Sequence, residues 1–336
     1  MDTACKGNLA QVFRRVAYGS ILQKTPTAKN SGFCISTLLT PMHPIKAFTP
    51  LLVSLSLGAF AANVWSGPET VSGTPVTVQQ IRNATVKIDF AGTTFLVDPM
   101  LSAKAEFPGF PGTYRSELRN PLVDLPFSVE KVLDSVEAVV VTHMHTDHWD
   151  AAAQEAIPKT LPVFTQNEAD AKLIRSQGFK DVRVLKDAST FKGVKLSRTG
   201  GQHGSDLWFA DPARAEAMGT VMGVVFAAPQ AKTVYVAGDT VWRPEVDQAL
   251  QQHRPDVVIL NTGSALMQGF EEHPIIMGKQ DTLQATKAAP HAAVVAVHMD
   301  AVNHMSLSRK ELRAFVQDQN IEKSVFIPAD GESLKF

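Results

Sequence analysis

Ala138-Val139-Val140-Val141-Thr142-His143-Met144-His145-Thr146-Asp147-His148 is an apolar run that passes without a break into three imidazoles and a carboxylate. Four consecutive apolar residues, three of them β-branched, read as a strand buried on both faces. Core packing asks for no cluster of histidines at the end of such a strand. Closely spaced imidazoles repel one another when protonated, and burying them unpartnered costs free energy, so a bound divalent cation is the natural account of the cluster. Zinc suits these donors: it takes neutral imidazole nitrogen and carboxylate oxygen in a tetrahedral shell and leaves a position open for water.

Short β-rich runs alternate with helical patterns downstream of this cluster. Strands are expected at Pro162–Thr165, Val194–Arg198, Val221–Ala227, Thr233–Ala237, Val257–Leu260 and Ala292–Val297. Helices are expected at Trp149–Ala156, Asn167–Ser176, Pro244–His253, Thr282–Ala288 and Ser308–Gln319. Upstream, Val76, Val78, Val86, Ile88 and Phe90 alternate with mostly polar neighbours, and Ala91-Gly92 separates them from Phe95-Leu96-Val97, which reads as an opening β-hairpin. Strands interleaved with helices require helices laid over sheet faces, a layered α/β architecture. The segment from Leu101 to Pro126 is rich in Pro, Gly and aromatic residues and lacks periodicity, so it is either a lid or binding loop or a surface insertion without a role.

The formal net charge of -1 gives no basic field able to hold a nucleic-acid backbone, and no nucleic-acid partner or stable protein partner is expected. Nine of the ten histidines lie beyond residue 140, a skew that fits a metal site in that part of the chain. Residues 51–62 form an apolar stretch closed by Ala59-Phe60-Ala61, which reads as a secretory signal cut near Ala61 or Ala62; a membrane-anchoring or buried helix is the alternative. Residues 1–62 are therefore taken as leader, with Met42 as a possible true start, 63–75 as linker and 76–336 as the folded domain, exported to the periplasm. Both cysteines, Cys5 and Cys34, precede the cut, leaving imidazole and carboxylate as the metal donors of the mature chain.

The run His143-x-His145-x-Asp147-His148 at a strand's end resembles the signature of the metallo-β-lactamase superfamily. Later elements follow in that family's order: Gly200-Gly201-Gln202-His203-Gly204, then Ala237-Gly238-Asp239-Thr240, then Val297-His298. The resemblance runs from about Val76 to Ile327 and implies a four-layer αββα sandwich. It implies a first cation on His143, His145 and His203, a second on Asp147, His148 and His298, and Asp239 bridging both. Two divalent cations about 3.5–4 Å apart would supply a hydroxide nucleophile. Zinc is the first expectation, with manganese or iron accepted by the same ligands. Asp147 and Asp239 are the candidate catalytic carboxylates, Asp239 the better placed to pass a proton to a leaving group.

His304 is a candidate substrate contact, although a capping role fits it equally. Phe107, Phe110 and Tyr114 are the candidates to hold an apolar or lipid-like portion of a small-molecule substrate. Within the superfamily, the run His145-Thr146-Asp147-His148-Trp149-Asp150 and the late His298-Met299-Asp300-Ala301-Val302-Asn303-His304 most resemble the branch of the ascorbate-phosphate lactonase and the N-acyl-phosphatidylethanolamine phospholipase D. The expectation is a metal-dependent hydrolase of an ester, lactone or phosphodiester. The alternative is a non-catalytic metal-binding or sensor protein on the same fold.

Overall fold

In the computed structural model, which describes residues 74–336, Ala138–Val140 is a strand whose side chains divide between two cores. Ala138 and Val140 face one apolar cluster, while Val139 and the following Val141 face another. The same two-residue alternation splits Val257 and Ile259 from Val258 and Leu260, and Val295 and Val297 from Val294 and Ala296. Strands buried on both faces are uniformly apolar for this reason.

The first half of the described chain supplies β1 (Thr77–Arg82), β2 (Thr85–Phe90), β3 (Thr93–Val97), β4 (Ala138–Val140), β5 (Val163–Thr165) and β6 (Val182–Val184). With β14 (Ser333–Lys335) they form a seven-stranded sheet in the order β14-β1-β2-β3-β4-β5-β6, antiparallel as far as β3 and parallel from β3 to β6. The second sheet contains β7 (Ser189–Phe191), β8 (Val194–Thr199), β9 (Gly223–Ala227), β10 (Val234–Val236), β11 (Val257–Asn261), β12 (Ala293–Val297) and β13 (Val325–Phe326). Its strands lie in sequence order, antiparallel from β7 to β10 and parallel from β10 to β13.

The inner cluster joins the two sheets, with Val78, Ile88, Phe95 and Val140 from the first and Leu196, Phe226, Ile259 and Val297 from the second. The Phe95 and Phe226 rings meet edge-on at 5.1 Å between centroids. On the outer face of the first sheet, α1 (Val129–Leu133), α2 (Ala151–Ala156) and α3 (Glu168–Ser176) place Val132, Ala153, Ala171 and Ile174 against Leu96 and Val139. Two short helices, α4 (Asp206–Phe209) and α5 (Pro212–Met218), bring Trp208 and Met218 into a separate apolar cluster. On the outer face of the second sheet, α6 (Pro244–His253), α7 (Lys279–Ala288) and α8 (Arg309–Asp318) place Val246, Ala285, Leu312 and Val316 against Val258 and Val294. The layers therefore run helix, sheet, sheet, helix, the αββα sandwich. The leader, the export signal, the Met42 start and linker residues 63–73 lie outside the described residues.

The opening hairpin is instead a three-stranded meander. The chain reverses at Asn83, whose φ of 59° lies in the left-handed region that asparagine tolerates, and again at Ala91-Gly92. The loop from Leu101 to Pro126 is fastened at many points. The buried Arg82 guanidinium donates to the carbonyls of Met100, Ser102 and Val123 at 2.9–3.1 Å. Asp150 caps α2 through Ala153 N–H with one carboxylate oxygen and accepts from Ser102 N–H with the other, at 2.8 and 2.7 Å. Leu122 N–H donates to Ala301 O at 2.8 Å, which ties the loop to the segment after β12.

Candidate metal centre

Parallel strands leave their last residues pointing into the crevice at the sheet's carboxyl edge, where ligands of α/β proteins gather. Asp98 follows β3, the His143–His148 run follows β4, Asp239 follows β10, Asn261 ends β11 and His298 follows β12. His203 arrives from the loop after β8. Two of these residues adopt left-handed backbone, Asp98 at φ 48° and His298 at φ 65°, conformations that cost non-glycine residues free energy and concentrate at functional sites. His298 is held there by its N–H donating to Asn83 O at 3.0 Å. Gly238, at φ 70°, admits no Cβ, which would sit 2.5 Å from Met222 O.

The seven expected ligands converge. His143, His145 and His203 form one set of donor atoms within 4.8 Å of one another, and Asp147, His148 and His298 form a second. Asp239 Oδ2 stands between them, 3.1 Å from His148 Nε2, 3.2 Å from His203 Nε2, 3.5 Å from His298 Nε2 and 4.0 Å from His143 Nε2. Asp147 Oδ2 lies 3.4 Å from His298 Nε2 and 3.7 Å from His148 Nε2. Asn261 Nδ2 donates to the other oxygen of Asp239 at 2.6 Å and so aims Oδ2 at the imidazoles.

The rings are oriented from behind. Asp98 Oδ2 lies 2.8 Å from His148 Nδ1, and Ile275 O lies 2.9 Å from His203 Nδ1. A proton fixed on Nδ1 by these acceptors leaves the Nε2 lone pair facing the centre. Thr142 Oγ1 donates to Asp98 Oδ2 at 2.7 Å, so its oxygen accepts from His143 Nδ1 at 3.1 Å. His145 turns its Nδ1 inward, 3.0 Å from His143 Nε2. Asp98 and Asn261 were not singled out in the sequence; each is a polar residue at the end of an apolar strand, and that position was the available signal.

The charge balance calls for a cation. Asp98, Asp147 and Asp239 are buried carboxylates, and among the described residues no lysine or arginine pairs with any of them. Burial opposes charge on His148, yet the carboxylates of Asp239, Asp147 and Asp98 outweigh it and raise its pKa well above the ordinary histidine value. Burial also disfavours charge on Asp239, but His148 and His298 lower its pKa well below the usual carboxylate range. Burial and neighbouring imidazoles hold His143 well below its ordinary value and bring His145 to about 4, so both offer lone pairs. Asp147 Oδ2 is buried with no hydrogen-bond donor. An unpartnered carboxylate oxygen among imidazole nitrogens fits a metal ion, which satisfies all of these donors together.

A cavity of about 330 Å³ opens onto this cluster, with His145, Asp147 and His203 among its lining residues. Phe110, Met144, Trp208, Met218, Met267 and Ile275 make its walls apolar. His304 lines it too, nearly fully buried, with burial pushing its pKa down to about 4 and its Nδ1 unpartnered. The Phe110 ring meets the His304 ring edge-on at 5.1 Å. Phe107 sits behind, packed on Phe110 at 6.0 Å. Tyr114 is not brought to the cavity: its N–H donates to Leu266 O, and its side chain is exposed beside the Arg115 guanidinium. Asp239 does not line the cavity, so of the two candidate catalytic carboxylates only Asp147 meets it. Trp208 and Met218, on the short helices after His203, were not anticipated, because four- and seven-residue helices carry too little periodicity to read.

Metal bound to the folded state alone adds about 2.7 kcal/mol at a hundredfold excess over Kd. Chelation is therefore expected to lower Tm by roughly 5–10 °C, at about 2–4 °C per kcal/mol for a domain of this size. A calorimetric midpoint that moves neither on chelation nor on reloading would refute the metal assignment.

The comparisons agree with this geometry. The family model described as the beta-lactamase superfamily domain matches residues 93–299. The UPF0173 protein YddR of Bacillus subtilis strain 168 is 44% identical over 259 residues, which are 77% of this chain and 99% of that protein. The structure of a possible metal-dependent hydrolase from Veillonella parvula is similar with a TM-score of 0.76 and 48% identity, covering 78% of this chain and 99% of the other. That of an isothiocyanate hydrolase from Delia radicum gut bacteria is similar with a TM-score of 0.75 and 49% identity, covering 77% of this chain and 99% of the other. With this match, this sandwich and this cluster of histidines and aspartates, the chain belongs to the metallo-β-lactamase superfamily and is a metal-dependent hydrolase.

Proposed function

We propose that the protein hydrolyses small, neutral, carbon-centred electrophiles bearing an apolar substituent, with organic isothiocyanates as the leading substrate class. The observation that carries this reading is the cavity: mostly apolar in its lining, shared with His145, Asp147 and His203 of the metal-ligand cluster, and without a lysine or arginine among its lining residues. The walls away from the ligand cluster offer an anionic phosphodiester no cationic side chain, so any compensation for its charge would have to come from the cations alone. A neutral ester or lactone would need no such compensation. The isothiocyanate is placed first because a hydrolase of that name shares 49% identity with this chain.

Two divalent cations, zinc foremost, are the proposed complement of the cluster. When bound, such ions lower the pKa of a water toward neutrality and polarise the electrophile. The protein's own residues do the rest. The apolar walls hold the substituent and exclude bulk water from the reacting carbon. Asp147, whose Oδ2 would be given to a cation, also lines the cavity, and its second oxygen accepts a proton from the attacking water and passes it to the substrate nitrogen. His304, neutral at neutral pH, offers a ring N–H to the heteroatom that gathers charge.

For R–N=C=S, one C–O bond forms as water adds across C=N. The C–N bond then breaks as nitrogen takes the second proton, and R–NH2 and carbonyl sulfide leave, which accounts for every atom of substrate and water. The test is to assay metal-loaded protein with benzyl isothiocyanate, a p-nitrophenyl ester, a lactone and bis(p-nitrophenyl) phosphate in parallel, following amine and carbonyl sulfide release in the first case. Turnover of the isothiocyanate well above the others is expected. Rapid lactone or phosphodiester cleavage with no amine released would overturn the assignment.

A further inference from the structure

The buried side chain of Asn303 uses its whole hydrogen-bonding capacity on the loop that forms one wall of the cavity. Its Oδ1 accepts from Phe110 N–H at 3.1 Å and from Asn120 Nδ2 at 2.7 Å. Its Nδ2 donates to Thr113 Oγ1 at 2.8 Å and to Tyr114 O at 2.7 Å. Its backbone joins in: N–H donates to Asn120 Oδ1 at 2.8 Å, and the carbonyl accepts from Arg115 Nε at 3.0 Å. Two of these partners, Phe110 and Thr113, line the cavity, and so does His304, the next residue in the chain.

We propose that Asn303 is a positioning residue for substrate selection, setting where the Phe110–Thr113 wall stands opposite the metal-ligand cluster and therefore the longest substituent the cavity accepts. This deepens the hydrolase reading above and rests on it only for the identity of the substrate. The physical ground is that an amide satisfied on all sides fixes its partners in one arrangement, whereas apolar contacts alone tolerate sliding. Gly109, just before Phe110, shows how closely the loop is packed: a Cβ there would fall 2.4 Å from the carbonyl oxygens of both Ser116 and Leu118, so the backbone of those residues lies directly against it. No other residue type reproduces the pattern. An aspartate presents two acceptors where Thr113 Oγ1 and Tyr114 O require donors, and a leucine presents none.

The experiment compares wild type, Asn303→Asp and Thr113→Val, the last removing one acceptor with little change of shape. A neutral fluorescent probe, N-phenyl-1-naphthylamine, is bound in the cavity and displaced by n-alkanols of increasing length, while metal content is measured in parallel. In the wild type, affinity is expected to rise by about fourfold per methylene and then stop where the chain meets the wall. In both variants the rise is expected to continue to longer alcohols, with metal content unchanged.

Identical length profiles in all three proteins would overturn the proposal, as would a failure of the wild type to bind the probe. If Asn303→Asp does not fold, Thr113→Val alone decides. Isothiocyanates of increasing chain length are then assayed on the same proteins, with the shift expected in KM for the longer members more than in kcat. Absence of all isothiocyanate turnover alongside a shifted alcohol profile would reject the substrate reading and leave the role of Asn303 standing.

Discussion

Asp239→Asn is expected to lower kcat/KM by about a thousandfold, the loss of roughly 4 kcal/mol of stabilisation that a metal-assembled site supplies to its transition state. The substitution preserves shape, so the argument rests on lone pairs. Asn261 Nδ2 donates to Asp239 Oδ1 at 2.6 Å, and only an oxygen can accept that bond. With Asn261 in this orientation the asparagine turns its NH2 group to the place of Oδ2, among four imidazole nitrogens at 3.1–4.0 Å; with Asn261 flipped, a neutral carbonyl oxygen replaces the carboxylate there. An amide nitrogen has no lone pair to give a cation, and in either orientation the negative charge at the middle of the cluster is gone. Elemental analysis should show a fall in bound metal while far-ultraviolet circular dichroism stays that of the wild type. A variant that retains more than about a tenth of wild-type turnover at full metal content would show that Asp239 is not the central ligand.

The residues that were legible in the sequence are those whose neighbours announce them. His143, His145, Asp147 and His148 fall within six residues just after Ala138–Val141, a pattern with no packing explanation. Asp239 and His298 each follow a buried strand, but it was the resemblance to the superfamily's order of elements that gave them metal roles, since Asp239 by itself also reads as a helix cap. The helices were readable for a related reason, because ten residues from Pro244 to His253 are long enough to show a face. The two-residue β13 and the three-residue β6, β7 and β14 show none, and their places are fixed by the strands they pair with. Asp98 was hidden because an aspartate before a proline reads as a turn former, and Asn261 because one polar residue at the end of a strand reads as its stop. The loop holding Phe110 and Tyr114 shows where sequence runs out. Both are aromatic, four residues apart, yet the bridge between Thr113 and Met267 and the hydrogen bond from Tyr114 N–H to Leu266 O leave one ring in the cavity and the other in solvent. That choice depends on backbone partners more than 150 positions away along the chain.

Asp98→Asn is expected to weaken metal binding by about 10- to 100-fold without abolishing it, the usual consequence of disturbing the group behind a histidine ligand. Asp98 Oδ1 accepts from Thr142 N–H at 2.7 Å, while Oδ2 accepts from Thr142 Oγ1 at 2.7 Å and faces His148 Nδ1 at 2.8 Å. The asparagine cannot place its NH2 group against Thr142 N–H, where two donors would meet, so the NH2 must take the position of Oδ2. It then faces His148 Nδ1 as a donor, and the neutral ring keeps its proton on Nε2, the nitrogen beside Asp239 and Asp147 whose lone pair a cation needs. Metal binding has to reverse that tautomer against a hydrogen bond, which is why affinity falls while the ligand set stays complete. Competition with a chelator of known affinity measures the loss, and excess metal should restore most of the turnover, unlike in the Asp239 variant. Asp98→Ala separates orientation from support: it leaves the buried Thr142 N–H unpaired, at a cost of about 1–3 kcal/mol, and should lower Tm where the asparagine variant does not. An Asp98→Asn protein within about twofold of wild-type metal affinity would mean that something other than this carboxylate fixes the His148 ring.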